Sequence, residues 1–320
     1  MMTRQLIVIV CGTALLVVAA VGVVVASRNR RQPLPPPDVP VSPCPAEVRV
    51  KAVERKPEPS DHEVVEASTT VAIVCGADPT TADRYEARND ALRSIARRRD
   101  LPEGDVAALM DYLASTNDIL RVERVVALKN DVMNLLRSQE PPPANLADTL
   151  IALFEGGGHP PAVLDYCVQH LGAMQGEITD DATRRRIREV LVGAARRAGQ
   201  SYAGTALYSL ADDRRATPAQ ESELKRLTLA LCRPDANPAA RIAAIQLAGE
   251  RGYAEALPIL RETLSAPSRD AVLDTVCIGS VGLLGNADDI PILSRFSSDS
   301  RRAPAVDAAI QRIKERADAH

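Results

Sequence analysis

Three short segments of this 320-residue chain carry residue types at spacings that could do chemistry. His62-Glu-Val-Val-Glu66 begins like a helical metalloprotease motif, in which two histidines one turn apart hold zinc and a glutamate acts as base. The second histidine is missing. Ser222-Glu-Leu-Lys225 has the S-x-x-K spacing that sets a serine nucleophile beside a lysine base. No K-T-G follows, and the surrounding residues read as a solvated helix face. Gly156-Gly-Gly-His159 has the composition of an anion-binding loop. It follows no strand and runs into Pro160-Pro161, so a turn between helices is the reading. The acidic pairs Asp180-Asp181, Asp212-Asp213 and Asp288-Asp289 stand where helix ends are expected, and capping accounts for them. None of these sets completes a reaction centre, so no enzymatic activity and no cofactor are expected.

Six cysteines and four histidines are present, and no cysteine pair has C-x-x-C spacing, which argues against a zinc framework. Cys167, Cys232 and Cys277 fall inside helical patterns as small buried hydrophobes. Cys44 and Cys75 flank one short segment and are a candidate disulfide if that segment is exported. Net charge is −3, so no bulk attraction to nucleic acid or anionic lipid follows. Basic clusters such as Arg97-Arg-Arg99 and Arg184-Arg-Arg186 are balanced by acids, and aromatic residues for base stacking make up only 2%. A nucleic-acid partner is therefore not expected.

The elements that must position any site are helices that repeat. Gly249-Glu-Arg-Gly252-Tyr-Ala254-Glu-Ala-Leu257-Pro258-Ile259-Leu260 recurs 33 residues later as Gly282-Leu-Leu-Gly285-Asn-Ala287-Asp-Asp-Ile290-Pro291-Ile292-Leu293. Six of the twelve positions are identical, where chance gives about one. A period of this length with helical patterning indicates stacked helix pairs. Gly252 and Gly285 stand where a helix needs a C-terminal residue at positive φ. Glu255 and Asp288-Asp289 fall in the next first turn, and Pro258 and Pro291 sit where early N–H groups need no helical partner. From Thr81 to the end the chain reads as about six helix pairs broken at Gly, Pro, Asn or Asp.

At these residues the chain resembles HEAT repeats of the short bacterial type, in two copies over about 235–296 with half a further unit over Ala303–Ala317. The resemblance implies an all-α, HEAT-like superhelical solenoid over 81–320. It implies a scaffold whose concave face, lined by the second helix of each pair, takes a protein or peptide partner, and it implies no chemistry of its own. In the family an arginine of the inner helix often ties to an aspartate of the turn, and Arg241 occupies that place with Asp235 just upstream. The second copy departs, with Asp274 at the equivalent position. Arg241 and Asp274 are thus candidate binding residues on Pro238–Arg251 and Asp270–Leu284, unless they pair only within the array.

Residues 1–5 form a short tail, and Leu6–Ala26 is an uncharged apolar run long enough to span a bilayer. A cleaved signal is the alternative, with Val24-Val25-Ala26 a tolerable cleavage site. Residues 27–60 form a Pro-rich linker, which in polyproline II form reaches up to ~80 Å at ~3.1 Å per residue. Residues 61–80 read as a small extended or β-element, with Val71-Ala-Ile-Val-Cys75 a short apolar run. Arg28, Arg30 and Arg31 favour a cytoplasmic C-terminal side, whereas the stalk with two cysteines suits the periplasm or exterior. The reading taken is a single-pass, membrane-anchored scaffold mostly outside the cytoplasm. A lyase-like or other enzyme-accessory HEAT protein and a cytoplasm-facing nucleic-acid or protein scaffold are the alternatives.

Overall fold

The computed structural model describes residues 69–266 and 270–319. They belong to one unit, Glu58–His320. Leu6–Ala26, the Pro-rich linker, His62-Glu-Val-Val-Glu66 and Cys44 lie outside the described residues. Among the described residues no helix is long and apolar enough to cross a membrane.

After a helical segment over 69–74, thirteen α-helices follow among the described residues. In chain order they are α1 (Tyr85–Ile95), α2 (Glu103–Ala114), α3 (Val122–Arg137), α4 (Leu146–Gly156), α5 (Pro161–Glu177), α6 (Asp181–Ala195) and α7 (Tyr202–Ala211). Then come α8 (Pro218–Leu231), α9 (Pro238–Glu250), α10 (Leu257–Ser265), α11 (Ala271–Leu284), α12 (Ile290–Ser294) and α13 (Ala303–Asp318). One 3-10 turn precedes α10 and another precedes α12. The six-pair expectation thus holds with one helix to spare. The chain says where helices begin. Pro161, Pro218 and Pro238 stand in first turns, where a missing N–H costs nothing. Asp180 accepts from Thr183 N at 2.7 Å, Thr217 and Gln220 form a capping box, and Asp270 caps Val272 N at 2.9 Å.

The expected extended element is corrected at 69–74, which is helical. Val71 and Val74 are buried at 1% and 0% exposure. Three residues apart, they share one side of a helix, whereas a strand would split them between opposite faces. A short apolar run does not itself distinguish the two.

The helices form two layers. Odd-numbered helices α1 through α13 pack each against the next odd helix, while even-numbered ones cover their other side. Leucines at helical spacing, including Leu109, Leu113, Leu128, Leu150, Leu171 and Leu191, fill the space between layers with no exposure. From α5 onward, each junction in the odd layer is closed by a glycine. A Cβ on Gly172 would overlap Ser209. One on Gly204 would lie 2.8 Å from Ala243 Cβ, and one on Gly249 2.9 Å from Ser280 Oγ. One on Gly282 would lie 2.7 Å from Ala309 Cα. Only hydrogen fits at these contacts, and the neighbouring helix comes correspondingly close.

The two turn glycines of the repeat serve different needs. Gly252 has φ 70° and ends α9, with Tyr253 N donating to Ala248 O at 2.9 Å. Gly285 corrects the expectation, since its φ is −79°. A side chain there would collide with the Asp289 carboxylate, which accepts from Asn286 N at 3.0 Å. Gly285 makes room for that cap.

Candidate functional site

Arg241 and Asp274 stand in the first turns of α9 and α11, one repeat apart, and their environments differ. Arg241 is half-buried. Its Nε donates to Cys232 O at 3.0 Å, at the end of α8, and its Nη2 donates to Thr263 Oγ1 at 2.7 Å, on α10. The guanidinium thus ties three helices together through a carbonyl and a hydroxyl, rather than through Asp235. Asp274 is 1% exposed, and its Oδ2 accepts from Arg302 Nη2 at 2.7 Å. Arg302 also pairs with Asp299 in the turn before α13. Asp274 is therefore an internal strut out of reach of a partner, which corrects the expectation that both residues read a ligand at successive steps.

Other struts follow the same logic. Arg261 on α10 grips Asp289 through two bonds, at 2.6 and 2.9 Å, and holds that carboxyl below its ordinary range. Arg188 on α6 reaches Asp213 at 3.3 Å. Arg88, 1% exposed, binds Val74 O at 2.9 Å and both oxygens of Asp118 at 2.9 Å. Its guanidinium lies 5.2 Å from the Tyr112 ring centroid, and the Lys129 ammonium lies 5.4 Å from the same ring. Burial pushes Lys129 down to about 8, and its ammonium donates to Leu113 O at 2.7 Å and Ser115 O at 2.5 Å. Sequence reasoning missed these pairs because the partners are far apart in the chain. One signal was present: Arg261–Asp289 and Asp274–Arg302 are each separated by 28 residues.

The segments weighed for chemistry are engaged structurally. Ser222 Oγ donates to Pro218 O at 2.9 Å, and Lys225 pairs with Glu255 at 2.5 Å. Gly157 and Gly158, at φ 73° and 78°, turn the chain from α4 into α5. Cys167, Cys232 and Cys277 are fully buried, and desolvation pushes each thiol up to about 12. Cys75 is half-buried and raised to about 11, with its Sγ 3.6 Å from Ala108 O. His170, 3% exposed on α5, has no hydrogen-bond partner on either ring nitrogen among the described residues, and burial pushes it down to about 4.

The outward side of Arg241 borders an open cleft of about 260 Å³. Pro234, Ile259, Ala266 and Leu273 form its apolar walls, and Thr263 and Glu262 complete the rim.

Residues 224–314, from α8 through most of α13, match the family model of HEAT repeats. This part of the chain is a HEAT-repeat array. Its helix pairs, inter-repeat struts and turn chemistry are those described above. No curated protein matches the chain. Among solved structures, human deoxyhypusine hydroxylase in complex with glycerol aligns at 14% identity, over 79% of this chain and 99% of that one. Its TM-score is 0.31, and so loose a superposition carries no argument about this chain's fold or activity.

Proposed function

We propose that this HEAT-repeat protein is a non-enzymatic scaffold that holds a protein partner along the exposed side of its odd helices. The partner is met in the cell envelope, with the array anchored to the membrane through Leu6–Ala26. One observation carries the reading: in the middle of the array, from α5 to α11, the two layers differ in what they present to solvent. On α5, α9 and α11 the exposed positions include Gln169, Ala173, Ala239, Val272 and Leu283, and the exposed charges on these helices, Glu177 and Glu250, stand at the last residues of α5 and α9. The even helices instead expose Arg185, Arg186, Glu189, Arg226 and Glu262. Surfaces that meet proteins are depleted of charge at their centre, and the odd side has that character from α5 to α11, with exposed charges such as Glu86, Asp131, Asp307 and Lys314 toward the two ends on α1, α3 and α13. Glycine junctions let neighbouring odd helices approach closely, which would favour curvature toward that layer and a concave binding face.

The test is cross-linking and capture from native membranes with the full chain and with Ala173→Arg and Leu283→Arg. Both positions are exposed, so folding should be untouched while capture falls. Undiminished capture by both variants would remove the odd side as the binding face. Membrane attachment is checked separately by carbonate washing and by sequencing the mature N-terminus. A start at Ser27 would show a cleaved signal in place of an anchor. A reporter fused after His320 decides between the cytoplasmic and external orientations.

A further inference from the structure

Ile119 and Val122 are the most exposed large hydrophobic residues among those described, at 70% and 56%. Ile119 stands in the turn between α2 and α3, and Val122 is the first residue of α3. Val126, one turn on and on the same side of α3, is half-buried. Hydrophobic residues exposed singly are ordinary, whereas two this bare within one turn form a patch. The patch lies at the first-helix end of the array, and the end of a solenoid needs a polar cap over its apolar edge.

The exposed charges around the patch lean positive. Arg84 and Arg121 are exposed and have no ion pair among the described residues. Arg124 lies 5.2 Å from the Tyr85 ring centroid and pairs with Glu86 at 3.5 Å. Asp118 is already held by Arg88 through both oxygens. Glu123 is the exposed acid between Val122 and Arg124.

The chain arrives at this place from upstream. The helical segment over 69–74 ends at Val74, whose carbonyl accepts from Arg88 Nε at 2.9 Å. The same guanidinium holds Asp118, the residue before Ile119. One side chain thus bridges the segment to the exposed turn. At ~1.5 Å per residue the segment is only ~8 Å long. Val65 and Val64 lie four and five residues before Thr69, a reach of up to ~13–17 Å at ~3.3 Å per residue. They belong to Asp61-His62-Glu63-Val64-Val65-Glu66, two valines set among three acids. The apolar stretch further upstream, Glu47–Val53, carries Arg49 and Lys51, the sign of the surface itself.

Reach and charge select one occupant. We infer that Asp61–Glu66 docks on the Ile119–Val122 surface of its own chain. Val64 and Val65 cover the apolar pair, and the three acids face Arg84, Arg121 and Arg124. Exposed ion pairs add little to such a contact, so apolar burial holds the segment. Charge decides which segment it is. A tether this short supplies the valines at an effective concentration in the mM range, so a contact too weak for separate molecules forms within one. The docked segment caps the array and fixes where the chain leaves it. None of this depends on which helices meet a partner.

The test places p-benzoylphenylalanine, a photoreactive residue, at Ile119 in the full chain. Equal amounts of light and heavy-isotope protein are mixed in detergent–lipid micelles, irradiated, digested and sequenced by mass spectrometry. The expected cross-link joins position 119 to Asp61–Glu66 within one isotope form. Val64→Asp combined with Val65→Asp should lower its yield about tenfold, since neither valine then gains from burial. A second readout leaves Ile119 in place. The Arg121, Val122 and Glu123 amides start a helix and have no helical partner. Their hydrogen exchange should quicken at least about threefold in the double variant, as a covered surface opens. A cross-link between light and heavy forms would give the surface to a second copy, and one to lipid would give it to the membrane. Either result overturns the docking, as does a cross-link to Glu47–Val53, no cross-link at all, or a yield or exchange rate indifferent to the two aspartates. The capture test with Ala173→Arg and Leu283→Arg stands or falls separately.

Discussion

Two glycines three residues apart on α11 should respond to the same substitution with opposite signs. An alanine Cβ at Gly279 meets nothing within 4 Å. Replacing a mid-helix glycine by alanine then restricts the unfolded chain and should stabilise by about 0.5–1 kcal/mol. At Gly282 the same atom would lie 2.7 Å from both Cα and Cβ of Ala309, against 3.4–4 Å for ordinary contact. At least ~0.7 Å must be found by moving α13 away from α11, because a backbone carbon cannot rotate aside. Overpacking of this kind costs about 1–3 kcal/mol. It outweighs the propensity gain, leaving Gly282→Ala about 1–2 kcal/mol less stable. The assay is urea unfolding of the full chain followed by circular dichroism. Gly282→Ala combined with Ala309→Gly should be less destabilised than the sum of the two single changes, since the second removes the Cβ side of the clash while carrying its own mid-helix glycine cost. Equal effects of Gly279→Ala and Gly282→Ala would refute the argument that glycine closes the odd-layer junctions.

Three further outcomes follow from the buried polar groups. Asp274→Ala leaves Arg302, itself only 8% exposed, without its interhelical partner; it should cost about 3 kcal/mol in chemical denaturation, part of which Arg302→Met should restore. His170 is held neutral, its pKa lowered from 6.5 to about 4. The folded state therefore binds fewer protons than the unfolded one between these values, and stability should fall by about 3 kcal/mol as pH drops from 6.5 to 4; a denaturation series over pH should show this slope, and His170→Leu should flatten it. Cys167, Cys232 and Cys277 should resist alkylation at pH 8 until the chain is unfolded, as mass spectrometry of labelled peptides would report.

The parts of the fold legible in the chain were those written locally. Pro218 with Thr217, Asn237-Pro238 and Gly252 each mark a helix end through the two or three residues beside it. The 33-residue recurrence exposed the pairing of helices. What stayed hidden depended on groups distant in sequence. Val71-Ala-Ile-Val-Cys75 is too short for its period to separate helix from strand. Gly285 looked like a copy of Gly252, yet the Asp289 carboxylate behind it sets its role. Asp274 stood in register with Arg241, but its partner Arg302 belongs to the next unit, so its burial could not be read from its own helix. The Arg241 cleft was invisible for the same reason, because its walls come from α9, α10, α11 and the turn after α8.

The contrast between the two layers has a mechanical side. The odd helices meet glycine against small residue at Gly172–Ser209, Gly204–Ala243, Gly249–Ser280 and Gly282–Ala309, with only short side chains at these contacts to take up slack. The even side is joined by long side chains, as in Arg186–Asp148, Lys225–Glu255 and Arg261–Asp289. Such links lengthen by changing rotamer at small cost, whereas separating close-packed helices forfeits dispersion over a whole contact. Under load the array should therefore bend like a beam with one inextensible flange, opening and closing on its even side. A partner laid along the odd helices would meet an almost constant helix-to-helix pitch at any curvature, so the array would work as a ruler rather than a jaw.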